Sequence, residues 1–140
     1  MKKNRVFKLF LGVSCLVALL MLPFLIAAIK HKVDVDRSFN ELSNALISKN
    51  YEQAYNMTGD SFRSTTESAT FTSYFSDFEK KFGKLISIER INDNISKSGV
   101  SSNWIARIES DLHFEKNDIE VLFEYHLEND KWVIFGMKQL

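Results

Sequence analysis

The sequence is poor in the residues that staple small proteins together. It has one cysteine, one proline and five glycines in 140 residues. The cysteine, Cys15, lies in an apolar stretch near the N-terminus, so residues 33–140 contain no thiol. An internal disulfide, a thiolate metal site and a cysteine nucleophile are therefore closed to that region. It must hold together by an apolar core, for which its length suffices and the twelve phenylalanines of the chain supply bulk. Two further absences concern charge. Residues 1–32 hold Lys2, Lys3, Arg5, Lys8, Lys30 and Lys32 but no carboxylate. Residues 33–140 consequently carry 12 basic against 18 acidic residues, a formal charge of −6, and no lysine- or arginine-rich run. A phosphate backbone would repel such a module, so no nucleic-acid partner is expected.

What the N-terminus does have is Leu9–Ile29, 21 residues without a charge. At ~1.5 Å per residue this is roughly 30 Å of helix, the thickness of a bilayer core. Pro23 is tolerable inside a membrane helix. The excess of positive charge before the span places residues 1–8 in the cytoplasm. The expected organisation is thus a single-pass signal-anchor helix over 9–29, a short linker over 30–34 and an extracytoplasmic domain over 35–140. The alternative is secretion after signal cleavage near Ala28, where small residues follow Pro23. A lipid-attachment box ending in Cys15 fits poorly, because the apolar stretch continues beyond it. Both readings export the domain.

The domain divides into a helical and a strand half. Val35, Phe39, Leu42 and Leu46 form one stripe of an amphipathic helix, with Asn50 to end it. Tyr51, Ala54, Tyr55 and Thr58 share a face of a short second helix stopped by Gly59. Phe71, Tyr74, Phe75, Phe78 and Phe82 stripe a third, closed by Gly83. From Leu85 the period falls to 2. A strand over Leu85–Asn92 is followed by a turn at Lys97–Gly99, and Trp104 to Phe114 alternates inward and outward side chains. A loop at Lys116-Asn117, a strand through Ile119–Leu127, a two-residue loop at Asn129-Asp130 and a last strand follow. With two-residue loops, Ile108 falls opposite Tyr125, Leu112 opposite Val121, Phe114 opposite Ile119, Leu127 opposite Trp132 and Tyr125 opposite Ile134. All are apolar and all on one face. The reading is α+β: the transmembrane helix, then three helices packed on one face of a curved antiparallel sheet of about four strands.

Asn50-Tyr51-Glu52-Gln53-Ala54-Tyr55, Phe62, Gly83 and Lys131–Gly136, in that order over 35–140, resemble the nuclear transport factor two-like superfamily, the cystatin-like cone fold. The likeness implies a membrane-anchored member whose short second helix covers the mouth of a curved sheet. It implies little about activity, since that superfamily includes isomerases, dehydratases, ligand binders and many members of unknown role. A ligand reading would use a cone pocket lined by Tyr51, Tyr55, Phe75, Phe78, Trp104 and Tyr125, suited to a small apolar molecule. An enzyme would need a carboxylate or histidine in that pocket. The inward face of the last three strands carries neither, and nothing singles out Asp60, Glu67 or Asp77 of the helical half, so no catalytic residue is assigned, and no cofactor.

The two domain histidines, His113 and His126, face outward among Glu109, Glu120 and Glu124. The two-residue register sets His113 opposite Glu120 and His126 opposite Arg107, too few converging ligands for a metal site. The same outward face bears Leu122, Val133, Phe135 and Met137. An apolar patch on the wet side of a sheet marks either a protein contact, with a homodimer or another protein as partner, or an edge strand covered by the loop near Gly99.

Overall fold

The computed structural model describes residues 3–98 and 103–140, with side chains from Leu20 onward. Gly99 of the expected turn falls outside the described residues, as do the side chains of residues 9–19 of the expected membrane span. The chain forms two units, Met1–Val33 and Asp34–Leu140. Helix α1 (Lys3–Ile47) contains Pro23 and contributes to both. In the first unit Leu20, Met21, Leu22, Phe24, Leu25, Ile26 and Ile29 are all exposed, so the helix has no apolar stripe set against a polar one there. Among the described residues, no helix is long and apolar enough to cross a membrane.

The second unit is α+β. Its four helical segments are the end of α1, α2 (Tyr51–Asn56), α3 (Asp60–Thr65) and α4 (Ser68–Phe82). Its sheet is an antiparallel meander of β1 (Leu85–Lys97), β2 (Trp104–Phe114), β3 (Asp118–Glu128) and β4 (Lys131–Gln139), in that spatial order. The stripe Val35, Phe39, Leu42 and Leu46 is buried, as the 3.6-residue period requires. Helix α1 stops at Ile47 because Lys49 turns into the left-handed region at φ 60°, and the Asn50 N–H donates back to the Ala45 carbonyl at 2.8 Å. Asn50 is therefore not only the end of one helix. Its side chain accepts from the Gln53 N–H at 3.2 Å and caps α2.

Helix α2 is shorter than expected. Thr58 leaves it to form a parallel bridge with Ile134, held by Gly59 N–H to the Ile134 carbonyl at 2.8 Å and Ile134 N–H to the Met57 carbonyl at 3.1 Å. The 57–59 segment so covers part of the open edge of β4. Gly59 is required by this approach, since a Cβ there would lie 2.9 Å from Val133 Cγ2. Helix α3 is a fourth, unexpected helix, with Asp60 in its first turn paired to Arg63 at 2.6 Å.

Glu79 of α4 gathers the ends of four elements. Lys49 Nζ lies 2.6 Å from it and the Leu85 N–H donates at 3.3 Å. The Tyr51 hydroxyl donates as well. Burial works against the charged carboxylate, but these bonds outweigh it and hold Glu79 below the ordinary carboxylate range. Tyr51, half-buried beside that charge, is pushed up to about 12 by desolvation first and by Glu79 second.

On the sheet, the β2–β3 register differs from the alternation argument. At the β2–β3 turn the pairing is Ile108↔Phe123, Leu112↔Ile119 and His113↔Asp118, a slip of two residues. The loop is longer because it has other partners. Glu115 N–H donates to the Lys84 carbonyl at 3.0 Å and Lys116 N–H to the Phe82 carbonyl at 2.9 Å. Phe114 consequently pairs with Leu85 rather than Ile119. A slip of two keeps every side chain on its face, so the core composition survives. At the β3–β4 hairpin Leu127↔Trp132 and Tyr125↔Ile134 pair as expected, with Asn129 and Asp130 at φ 49° and 61°.

Candidate functional site

The inner face of the sheet is filled by its own side chains. Ala106, Ile108, Leu112, Phe123, Tyr125 and Ile134 are buried beneath the helices. The six residues expected to line one pocket do not converge. Tyr51 stacks on Phe75 with centroids 6.0 Å apart, and the Tyr55 hydroxyl donates to the Thr66 carbonyl at 2.8 Å. Phe78 packs on Phe114, at one end of β2, whereas Trp104 begins the other end. Ten residue steps of strand separate Trp104 from Phe114, roughly 33 Å at ~3.3 Å each. One small cavity cannot include both.

Tyr125 is completely buried, and its hydroxyl has no hydrogen-bond partner among the described residues. Desolvation pushes its pKa up, with Arg90 acting weakly against that. Arg90 itself reaches inward from β1 over the Phe39 ring at 4.6 Å and pairs with Asp36 of α1 and with Asp93. This triad is a clamp between α1 and β1. Its two carboxylates outweigh the single guanidinium charge, which disfavours an anionic ligand there.

A recess of about 210 Å³ lies between α3, α4 and β4, lined by Phe62, Thr66, Thr70, Phe71, Tyr74 and Met137. None of the six expected pocket residues lines it. Met137 is there because of a bulge. The ladder shifts between Glu124↔Gly136 and Tyr125↔Ile134, leaving Phe135 as the extra residue. Met137 then pairs with Phe123 and packs against the core. It does not join the outward patch with Leu122, Val133 and Phe135, as strict alternation requires.

The outward face keeps those three and gains Ile105, which sits opposite His126 and is half-buried. The position of Ile105 in the odd-numbered set of β2 already marks it as outward-facing. Phe135 is 39% exposed, the most open of the group. Its ring stacks flat on His126 with centroids 3.9 Å apart and 4° between planes. His126 Nε2 meets Glu124 Oε1 at 2.9 Å, and Arg107 Nε donates to Glu124 Oε2 at 2.8 Å. Partial burial opposes ionisation of Glu124, but His126 and Arg107 together hold it below its ordinary range. This chain of contacts orients the aromatic surface: Arg107 fixes Glu124, Glu124 fixes His126, and His126 supports Phe135.

Around His113 the expected pairing with Glu120 is replaced. Asp118 Oδ1 lies 2.9 Å from Nδ1 and Glu89 Oε2 lies 3.5 Å from Nε2. The hydrogen bond to Asp118 leads in raising the pKa of His113, against a smaller opposing effect of desolvation. Among the described residues no group of three or more histidine, cysteine or acidic side chains is placed to hold a metal ion. Compared with known proteins, the chain matches no family model and no curated protein.

Proposed function

We propose that the chain is a membrane-tethered, extracytoplasmic binding module that works by protein contact through the outer face of its sheet. The supporting observation is the contrast between the two faces. The inner one is filled by Phe, Tyr and Ile side chains, whereas on the outer one Phe135 is exposed and Ile105, Leu122 and Val133 are only half-buried. The tether is the uncharged run Leu9–Ile29, whose described part exposes apolar side chains all round the helix. The superfamily likeness is kept as part of this proposal: helices over one side of a curved meander are what a cone fold requires.

A photo-crosslinking residue at position 135 of the full chain, in its own membrane, tests the reading. The expected result is a discrete protein adduct that is absent when the probe is moved to the exposed Tyr74. Equal labelling from both positions sinks the outer-face reading. The tether is tested separately by labelling a Ser98→Cys chain with a membrane-impermeant maleimide. Intact cells should label as fully as lysed ones.

The recess beside Met137 supports a second, weaker reading as a small-ligand site. Its 210 Å³ falls below the ~300 Å³ at which ligand pockets usually begin, so it suits a single side chain or fragment.

A further inference from the structure

The outer face also carries a charge pattern, which names the class of partner; this inference rests on the proposal that the face is an interface. Toward the β2–β3 turn, Glu89, Asp111 and Glu120 lie directly opposite one another across three strands. Like charges in that relation destabilise a sheet. Adjacent strands are ~4.8 Å apart, well inside the ~8 Å screening length of physiological salt, so the three carboxylates act as one field. Asp118 and Glu109 extend it on the same face. Arg107 is already bonded to Glu124, His113 offsets the Glu89 and Asp118 end in part, and Lys138 stands opposite Leu122 at the edge of the row, so five carboxylates still outnumber the cations beside them. The apolar group Ile105, Leu122, Val133 and Phe135 adjoins this row, with Glu109 directly opposite Leu122.

We infer that the occupant of this face is a protein segment bearing lysine or arginine beside a large apolar side chain. Its apolar group covers Phe135 and Leu122, and its cations offset the carboxylate row. A second copy of the chain, which offers Lys138 beside Leu122 on this face, meets this requirement only in part. Face to face, two copies would bring two such rows together, in a domain that already carries 18 acidic against 12 basic residues over 33–140.

The test uses the full chain in nanodiscs of zwitterionic phosphatidylcholine, with empty discs as the blank. The probes are two labelled peptides of the same length, one alternating leucine and lysine, the other leucine and glutamate, read by fluorescence anisotropy. The Leu–Lys peptide should bind at least about tenfold more tightly, with the margin shrinking as salt is raised. The double variant Asp111→Lys, Glu120→Lys should abolish the margin, and Phe135→Ser should weaken binding of the Leu–Lys peptide about tenfold, each with an unchanged circular-dichroism spectrum. Equal affinity for both peptides, or a margin untouched by charge reversal, overturns the cationic partner. If Phe135→Ser still weakens binding in that case, the interface stands and only the partner class falls. Leu–Lys binding indifferent to Phe135→Ser refutes the face itself. A crosslink from position 135 to a second copy of the chain also refutes the cationic partner.

Discussion

Tyr55 and Tyr125 carry the same hydroxyl into different surroundings. The first donates to the Thr66 carbonyl at 2.8 Å; the second is buried with no partner among the described residues. Removing a made hydrogen bond costs about 1 kcal/mol, whereas removing an unmade buried one costs nothing or helps. Tyr55→Phe should therefore lower stability by about 1 kcal/mol, and Tyr125→Phe should leave it unchanged or raise it, in paired chemical-unfolding curves. Gly83 gives a larger effect. At φ 86° and ψ −170° it occupies backbone space that L side chains avoid, and a Cβ would lie 2.6 Å from a Glu115 carboxylate oxygen. Gly83→Ala should cost about 2 kcal/mol or more in the same measurement. The sequence marked Gly83 as a helix stop, but the Glu115 contact depends on a loop 32 residues away in sequence and no local pattern announces it.

At the scale of elements, legibility followed periodicity. The stripes of α1 and α4 and the alternation of β2 and β3 were readable because each rests on a repeat in one stretch of chain. The β3–β4 hairpin was readable because Asn129-Asp130 suits the positive φ its turn needs. What escaped were interruptions decided elsewhere. The β2–β3 loop lengthens to bond Phe82 and Lys84, β1 is bulged twice, and the bulge at Phe135 turns Met137 to the other face. The pocket expectation failed for a related reason: alternation tells which residues point inward, not how far apart along a strand they stand. The 57–59 bridge was equally hidden, because a single residue pairing leaves no periodic trace. It yields a direct test. Gly59→Val should speed hydrogen exchange at the Ile134 amide, which bonds Met57, while leaving the amide of Ile108 in the buried middle of β2 protected. Equal exchange at Ile134 in both proteins would mean the bridge does not close that edge.

For the whole molecule, the separation of charge was legible from composition alone, but its arrangement into a row across β1, β2 and β3 depends on the register. The same row gives stability a pH dependence. His113, with its pKa raised chiefly by Asp118, binds its proton more tightly folded than unfolded. Its contribution is full below the ordinary imidazole value of about 6.5 and is lost as pH rises through the raised folded value. His113→Asn should thus destabilise the protein more at pH about 6 than at pH about 9, in thermal unfolding compared across that range. A constant difference at both would place the histidine outside this linkage.

The strand order has a consequence for how the chain acquires its shape. Every strand of the meander pairs with its immediate neighbour in sequence, so no strand waits for a distant partner. Such arrangements have short loops to close and fold quickly for a sheet. In a chain synthesised from its N-terminus, β1 and β2 can zip together before β4 is made. The exception is the bridge from Thr58 to Ile134, which joins the helical half to the last strand. That contact acts as a latch: it forms only when synthesis is nearly complete, and it fastens the helical half to the last strand after contacts such as Asp36–Arg90 and Glu79–Leu85 have joined that half to β1.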